Sequence, residues 1–363
     1  MKEYTQKLDI ENSITLPKQS CPEDVLFFDI ETTGFSPANT VLYLIGCIYY
    51  KDSSYYMTQW FADTVDSEKD LLSAFISFTQ NYRTLIHYNG SGFDIPYINK
   101  KCHIYGIECD FSHLQSLDIY KEIQPVKTLL KTDNLKQKTI EKFLGINRED
   151  VYTGGELIEI YKNYLKKSDD AALRLLLLHN HDDIIGMTMI LPILNYPALL
   201  NGSFTLQEIA LNTVSSETFE KKEVIISLHT KFPLNTRTSY GKDDFYLTAY
   251  KNTLKLAVNI YTGELKYFYP NYKDYYYLPE EDYAIHKSVA SYVDKNYRIK
   301  ANAANCYSKK AGAFLPQPEE IITPSFKMEH SDKITYFEYN EAFNSDSAAV
   351  LKYVNHIIKY LAK

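Results

Sequence analysis

Apolar positions in the first half of the chain fall into short runs that are typical of buried strands. Residues 25–30 (VLFFDI) are apolar at successive positions, as in a central strand covered on both faces. The runs at 40–50 and 54–62 are separated by the polar residues 51–53 and predict a β-hairpin. Residues 83–90 (RTLIHYNG) predict a further strand, so these segments together predict one sheet.

Amphipathic stretches alternate with these strands, and their apolar residues recur at helical spacing. They predict helices over 67–82, 96–106, 133–145, 155–167 and 169–195, with a short strand over 116–120. Ser67 and Asp70 have the spacing of a capping box, and Gly106 and Gly145 are placed to end two of the helices. This order of elements predicts an α/β fold in which helices flank a mixed sheet.

After Pro197 the pattern changes to short aromatic or β-branched runs with turn residues between them. The runs cover 223–230, 245–250, 254–261, 265–270 and 334–340, and a final amphipathic helix is predicted over 348–362. We therefore expect an N-terminal extension over 1–23, an α/β domain over 24–196 and a smaller β-rich accessory domain over 197–363.

Charge is distributed unevenly along the 363 residues, whose net charge is −7. Residues 1–199 carry 19 Lys and Arg against 27 Asp and Glu, whereas residues 200–363 carry 20 against 19. An acidic half has no general attraction for a polyanion, so nucleic-acid binding would require local basic patches or bound cations. The content of 45% hydrophobic and 23% charged residues excludes a disordered chain or a fibre.

The five cysteines are irregularly spaced and include no CxxC pair, which argues against a disulfide framework and against a structural zinc site. The first residues lack an apolar core, and the longest aliphatic run, 175–178, is far shorter than the ~20 residues of a membrane span. We therefore expect a cytoplasmic protein without a membrane partner.

Ionisable side chains stand at three places where they could meet. Asp29 and Glu31 lie two residues apart on the first strand, so both project from the same face at the point where the strand ends. Asp94 follows a later strand and a glycine-containing turn, and His179 and Asp183 share one face of the long helix. Taken singly, these are typical of a solvated strand end, a helix cap and a structural histidine.

In this order the motifs resemble those of the DEDD exonucleases of the RNase H-like superfamily. The matching positions are Asp29, Glu31 and Thr32 in a first motif, Asn89, Phe93 and Asp94 in a second, and Asp183 at the end of a third. The segment HYNGSGFDIPY also resembles the proofreading segment of family B polymerases. The sequence is most similar to the YprB-like ribonuclease H-like proteins of bacteria, from residue 24 to about 195.

The third motif departs from the family pattern. The histidine branch usually has four residues between His and Asp and the tyrosine branch three, and three separate His179 from Asp183. A rival register that uses His181 or Asp182 therefore stays open, although helical phase favours His179 and Asp183.

The resemblance implies a metal-dependent exonuclease that releases nucleotides from the 3′ end of single-stranded nucleic acid, with DNA favoured. Two Mg²⁺ or Mn²⁺ ions, which prefer carboxylate oxygens, would activate water and neutralise charge on the reacting oxygens. Asp29 would bridge the ions, Glu31 and Asp94 would serve one each, and Asp183 would complete the first site. His179 would act as general base, because imidazole titrates near neutrality.

Two rival functions stay open, a catalytically idle nucleic-acid-binding module and an RNase H-like endonuclease. The complete set of carboxylates argues against the first, and the His-Asp motif on the last helix argues against the second. YprB-like proteins are linked to DNA repair beside a helicase, so the resemblance also implies a helicase as a partner.

Further residues are candidates for substrate binding. Thr32 and Thr33 could meet the terminal nucleotide and Asn89 could position the scissile phosphate, although a turn role fits each equally well. Four lysines could contact phosphates or form a solvated helix face: Lys127, Lys131, Lys136 and Lys138.

The accessory domain interleaves basic and aromatic residues, a pattern that suits single-stranded nucleic acid. The basic residues are Lys295, Arg298, Lys300, Lys309 and Lys310, and the rings are Tyr292, Tyr297 and Tyr307. We predict that Arg298 and Lys300 contact the substrate. The alternative is that the tyrosines build a small β core and the lysines keep it soluble.

Overall fold

The computed structural model describes residues 1–10, 14, 16, 20–147, 152–215 and 220–363. The chain divides into two compact units. The first comprises Met1–Lys127 and Thr132–Pro197, and the second comprises Thr128–Lys131 and Ala198–Lys363.

A six-stranded mixed sheet forms the centre of the first unit, in the order β1-β4-β3-β2-β5-β6. Its strands are β1 (Lys2–Leu8), β2 (Val25–Thr32), β3 (Leu42–Lys51), β4 (Ser54–Phe61), β5 (Thr84–His87) and β6 (Gln115–Asp118). The strands β1 to β4 pair antiparallel, whereas β5 is parallel to both β2 and β6. The predicted mixed sheet is confirmed, with β2 in its interior.

The strand β1 differs from the expected N-terminal extension over 1–23. Residues 2–8 pair with β4, from Lys2 opposite Phe61 to Leu8 opposite Tyr55, and form an edge of the sheet. Among these residues Leu8 alone is buried, so the strand lacks the apolar pattern of an interior strand. Polar side chains are typical of an edge strand.

Helices of the first unit flank the sheet. They are α1 (Glu68–Thr79), α2 (Asp94–Tyr105), α3 (Ile119–Ile123), α5 (Gln137–Phe143), α6 (Gly154–Lys167) and α7 (Asp170–Met189). The short helix α4 (Lys127–Leu130) lies between α3 and α5 in the chain, and its residues after Lys127 belong to the second unit. Gly106 and Gly145 end α2 and α5 with φ of 65° and 80°, as predicted. The predicted capping box at Ser67 is wrong, because its Oγ donates to Asp63 Oδ1 at 2.9 Å instead of capping α1.

The long helix predicted over 169–195 is interrupted. The α-helix ends at Met189, and a 3₁₀ segment, Leu191–Asn195, follows with a proline in its first turn. Proline has no N–H to continue the α-helical hydrogen bonds, which accounts for the change.

The segment Asp170–Asn201 is long and apolar enough, by length and composition, to cross a membrane. Half of the most apolar 18-residue stretch of this segment is buried inside the protein. The helix α7 packs against β2 and β3. Packing against the sheet accounts for the apolar composition, as in other core helices.

A strongly bent sheet forms the core of the second unit. Its strands are β7 (Phe204–Ser215), β8 (Glu220–Lys242) and β9 (Phe245–Asn259). The strand β9 bends near Lys251, whose φ is 52°, so that Asn259 at its end donates to the Asp244 carbonyl at 2.9 Å. The runs predicted as separate strands over 245–250 and 254–261 are therefore largely two halves of one bent strand.

Two small sheets and three helices complete the second unit. The sheets are β10 (Tyr261–Phe268), β14 (Tyr307–Gln317) and β15 (Thr335–Glu338), and β12 (Tyr283–His286), β11 (Tyr275–Leu278) and β13 (Ile299–Lys300). The helices are α8 (Lys287–Ala290), α9 (Glu341–Ser345) and α10 (Ser347–Ala362). The helix α10 buries one apolar face and contacts all three strands of the bent sheet. The predictions of a smaller β-rich unit and a final amphipathic helix are confirmed.

Candidate active site

Asp29 and Glu31 project from the face of β2 opposite α1. Phe28, which alternates with them, belongs to the apolar core and stacks on Phe75 of α1, with the ring centres 5.4 Å apart. Because successive side chains of a strand point to opposite faces, the two carboxylates lie on the face that α7 covers.

Asn180 of α7 contacts Asp29 directly. Its Nδ2 donates to Asp29 Oδ2 at 3.3 Å, and its Oδ1 accepts from Gln59 Nε2 at 2.9 Å. Gly46 lies opposite Asp29 on β3 and permits this close approach, because a Cβ there would lie 2.0 Å from Asn180 Oδ1. Asn180 was not predicted as a site residue, since its only signal in the sequence is that it is a polar residue beside His179 on an apolar helix.

His179 lies between two carboxylates. Its Nε2 is 3.2 Å from Asp183 Oδ2 on the next turn of α7 and 3.7 Å from Glu31 Oε1 on β2. His181 instead contacts Asp182, with Nδ1 2.9 Å from Oδ1, and lines a separate groove beside β1. The geometry thus brings together the pair that helical phase favours.

Asp94 is buried at the first position of α2. Its carboxyl accepts hydrogen bonds from its own backbone N–H and from that of Ile30, the residue between Asp29 and Glu31. The charge of Asp94 in turn acts on both Asp29 and Glu31. Asp94 therefore joins the same cluster.

Burial and mutual repulsion raise the pKa of these carboxyls. The pKa of Asp29 lies well above its usual range, because the group is buried and lies near Asp94 and Glu31. Burial and the charge of Asp183 raise the pKa of Glu31 to about 8, and burial raises that of Asp94 to about 7. Gathering the ionised carboxylates without a cation is therefore unfavourable at neutral pH.

The donor atoms of the cluster suit a hard divalent cation. One ligand atom each from Glu31, His179 and Asp183 lie within 4.8 Å of one another. Asp29 and Asp94 add further carboxylates to this set. Because Mg²⁺ and Mn²⁺ prefer carboxylate oxygens, the residues present fit such ions.

Hydrogen bonds from backbone N–H groups stabilise the turn that precedes Asp94. Asn89 has a left-handed backbone, with φ of 61°, and its N–H donates to Asp118 Oδ1 at 2.9 Å. The Gly90 N–H donates to His87 Nδ1 at 3.0 Å, so the proton of this histidine lies on Nε2, which faces Ser116 Oγ at 2.7 Å. Burial lowers the pKa of His87 to about 4, consistent with a neutral ring. Asn89 thus has a structural role, and its contact with substrate stays a prediction.

Thr32 and Thr33 both stabilise the loop after β2. The Thr32 hydroxyl donates to the Gly34 carbonyl at 2.9 Å, and the Thr33 hydroxyl accepts from the Val41 N–H at 2.8 Å. The turn role of both residues is therefore observed, and substrate binding by them stays a prediction.

Phe35 in the same loop has an exposed ring that was not predicted from the sequence. Phe35 is 90% exposed, and its ring lies 5.9 Å from that of Phe93, the residue before Asp94. The available signal in the sequence was an aromatic residue three positions after Thr32, the last residue of the first motif. The exposed ring therefore lies next to the residue that precedes α2, of which Asp94 is the first residue.

The four candidate lysines are all exposed, but their environments differ. The positive charge of Lys138 lowers the pKa of Glu31 and thus acts on the carboxylate cluster. Lys131 Nζ lies over the ring of Tyr240, 5.9 Å from its centre. Lys127 and Lys136 have exposed side chains on or beside short helices.

Of the accessory residues, some have partners inside the second unit. Lys309 pairs with Asp282 and Lys310 with Glu338, the latter at 2.7 Å. Tyr307 is buried and donates to Asp282, so the alternative of a core tyrosine is observed for this ring. Arg298 stacks on Tyr276, and Lys300 is exposed on β13.

One family model matches a large part of the first unit. Residues 26–195 match the model of a family described as the RNase H superfamily. No curated protein sequence matches the chain.

Similar solved structures include the family B DNA polymerase of the archaeon Pyrobaculum calidifontis, at 13% identity and a TM-score of 0.36, covering 67% of this chain and 33% of the polymerase. They also include Escherichia coli exonuclease I in complex with a dA16 oligonucleotide, at 12% identity and a TM-score of 0.27, covering 57% of this chain and 54% of the exonuclease. The exonuclease I of Methylocaldum szegediense is similar at 12% identity and a TM-score of 0.26, covering 57% and 54%.

The chain thus spans about a third of the polymerase and about half of the exonucleases. Similarities this low carry no argument about activity. The family match and the mixed sheet with its flanking helices together show that residues 26–195 form an RNase H-like domain.

Proposed function

We propose that the first unit is a metal-dependent exonuclease that hydrolyses single-stranded nucleic acid from its 3′ end, with DNA as the favoured substrate. One observation carries the proposal, namely the clustering of Asp29, Glu31, Asp94 and Asp183, with His179 beside Glu31 and Asp183. An arrangement of buried carboxylates with raised pKa values and an adjacent histidine is typical of a catalytic site.

The donor set supports two divalent ions, Mg²⁺ or Mn²⁺, as cofactors. When bound, such ions stabilise the negative charge that develops on the attacking and leaving oxygens of a phosphodiester. Asp29 is central to the cluster, since its pKa responds to all three other carboxylates. Asp29 would therefore hold the ions together with Glu31, Asp94 and Asp183.

His179 is placed to act as the general base. Its Nε2 is the ring atom that faces both Glu31 and Asp183, at 3.7 and 3.2 Å. A proton taken from the attacking water would give an imidazolium ion, and two neighbouring carboxylates would stabilise it. Asp183 would also hold the ring in the orientation that the reaction requires.

The remaining proposed contacts are with the terminal nucleotide of the substrate. The exposed ring of Phe35 can stack on a terminal base, because every base presents a π face. Thr32 and Thr33 would bind the terminal nucleotide through their backbone, since both hydroxyls serve the loop. The preference for a 3′ end, the preference for DNA, a role in DNA repair and a helicase partner follow from the family resemblance and are part of the proposal.

Nuclease assays on labelled oligonucleotides test the proposal. Linear single-stranded and duplex DNA and RNA, labelled at the 5′ end, would be incubated with Mg²⁺ or Mn²⁺ beside a circular single strand. We expect a ladder of shortened, 5′-labelled linear strands and an intact circle. Cleavage of the circle would identify an endonuclease, and binding without any cleavage would identify an idle module.

A further inference from the structure

Exposed rings and positive charge are concentrated in residues 283–300 of the second unit. Five of the fifteen large hydrophobic side chains that are exposed in the described part of the chain lie there: Tyr283, Val289, Tyr292, Tyr297 and Ile299. The segment also carries Lys287, Lys295, Arg298 and Lys300 against one carboxylate, Asp294. Exposed apolar side chains are usually scattered singly, so this many within one short segment mark it as a candidate interaction site.

The loop over 290–298 is held in shape from both ends. Arg298 donates from Nη1 to the Ala290 carbonyl, and its guanidinium lies 4.9 Å from the centre of the Tyr276 ring on β11. Asp294 accepts from the Asn296 N–H at 2.9 Å and so caps the 3₁₀ turn Lys295–Tyr297. A ring held on such a backbone loses little conformational freedom when it binds.

The two tyrosines of this loop present their rings to solvent. Tyr292 is 91% exposed and Tyr297 is 60% exposed. Neither ring takes part in an aromatic pair among the described residues. In contrast, the nearby Tyr269 and Tyr275 stack on each other with ring centres 4.5 Å apart. The core therefore uses some tyrosines of this unit and leaves these two available.

Cationic side chains lie in the same segment as these two tyrosines. Lys300 is opposite Tyr276 in the β11–β13 pair, and Arg298, two residues earlier, is on the same face. Lys295 belongs to the capped turn and is exposed, as is Lys300. Within the described residues neither lysine forms an ion pair, whereas Lys287 pairs with Asp274 at 2.8 Å.

We propose that this face binds a single strand of nucleic acid, with phosphates at Lys295, Arg298 and Lys300 and bases stacked on Tyr292 and Tyr297. Its charge is complementary to a polyanion, and its free rings suit unpaired bases, which a duplex does not offer. The inference deepens the proposed function, on which it rests for the identity of the strand as substrate. The first half of the chain is acidic and repels phosphate, so a separate basic surface would help the protein to bind the strand.

The test is the affinity of the whole protein for a fluorescent oligo-dT, measured over a range of salt concentrations in the presence of a chelator. The double variant Lys295→Gln/Lys300→Gln should lower the log–log salt slope by about 1.4, at roughly 0.7 for each lost phosphate contact. The variants Tyr292→Ala and Tyr297→Ala should each weaken binding by roughly 5- to 150-fold, the range expected of one stacked base. An oligo-rU arm of equal length distinguishes RNA from DNA as the preferred strand.

A matched control removes the same charge elsewhere in the unit. Lys266 and Lys363 are ion-paired with Glu329 and Glu319, at 2.7 and 3.6 Å. Their double replacement by Gln should leave the slope unchanged. Because all the replaced tyrosines and lysines are exposed or at the surface, melting temperatures should stay close to that of the unchanged protein.

Several outcomes would overturn the inference. An unchanged slope in the Lys295/Lys300 double variant would do so, as would equal losses in the control, which would indicate net charge alone. Equal competition by poly-glutamate would identify an acidic peptide as the partner instead. Nucleotide release with Mg²⁺ is measured separately, so that normal binding without release contradicts the exonuclease alone, and release with an unchanged slope contradicts this surface alone.

Discussion

Asn180 Nδ2 donates to Asp29 Oδ2 at 3.3 Å and so connects two residues that are 151 positions apart in the sequence. The contact depends on Gly46, since a Cβ at that position would occupy the place of Asn180 Oδ1. The depth at which α7 lies on the sheet is therefore set by a strand residue without a side chain.

Gly46→Ala should destabilise the protein by about 1–3 kcal/mol, because the added methyl group overpacks the α7 contact. Nucleotide release should fall as well, since Asn180 and its helix must shift. Urea unfolding and the nuclease assay measure the two effects. Gly154→Ala is the control, because a Cβ at Gly154 meets nothing within 4 Å. Equal stability of both variants would contradict the packing argument.

Asp29→Ala should abolish nucleotide release and preserve the fold. Removing one of several crowded carboxylates relieves repulsion, so we expect equal or higher stability without metal. Metal-dependent protection against heat should weaken, because one of the proposed metal ligands is gone. Circular dichroism, melting with and without Mg²⁺, and end-labelled substrate provide the readouts. Metal-dependent activity that survives in this variant would refute the assignment of the site.

Stability without metal should decline as the pH rises from about 4.5 to about 8. The pKa of Glu31 is about 8 in the folded protein against 4.5 ordinarily, and that of Asp94 is about 7 against 3.8. An acid whose folded pKa is raised stabilises the fold below its ordinary pKa, and this contribution is lost as the pH passes the folded value.

Melting curves in chelator across this pH range test the expectation by comparison with Glu31→Gln, which lacks the Glu31 titration. The decline should be shallower in the variant, and Mg²⁺ should reduce it in the unchanged protein. Parallel pH curves for the two proteins would show that Glu31 does not carry the effect.

His179→Ala should lower kcat by about 100-fold or more while Mg²⁺ binding is largely kept, as expected for a general base. His181→Ala serves as the control and should have a mild effect, because this ring contacts Asp182. Steady-state kinetics and calorimetric titration with metal measure both. Reversed effects would restore the rival register, and lost metal affinity in His179→Ala would make this histidine a ligand.

Phe35→Ala should weaken the affinity for a strand end by about 1–3 kcal/mol if the ring stacks on a base. The fold should be unaffected, because the side chain is 90% exposed. Ile104→Ala, which removes a 49% exposed side chain from α2, is the comparison. Binding of a short oligonucleotide in chelator gives the affinities, and equal values for the two variants would remove Phe35 from the site.

Local periodicity in the sequence predicts most elements, whereas the main site residues are implied by the family resemblance. Asp29 and Glu31 share a face because side chains alternate along a strand, and His179 and Asp183 meet because a helix repeats every 3.6 residues. Both relationships act over fewer than five residues, so no knowledge of the rest of the chain was required. The hairpin of β3 and β4 and the amphipathic α10 were predictable for the same reason.

Tertiary structure alone decided which distant residues complete these local groups. The polar strand β1 could join the sheet because an edge has one open side, and the approach of α7 depends on Gly46 opposite Asp29. Likewise, Lys309 and Tyr307 turned inward to Asp282, whereas Lys295 and Tyr297 stayed exposed, although all four follow the same basic-aromatic pattern. Such differences depend on packing between segments that are far apart in the chain. A local pattern of residue types gives no information about that packing.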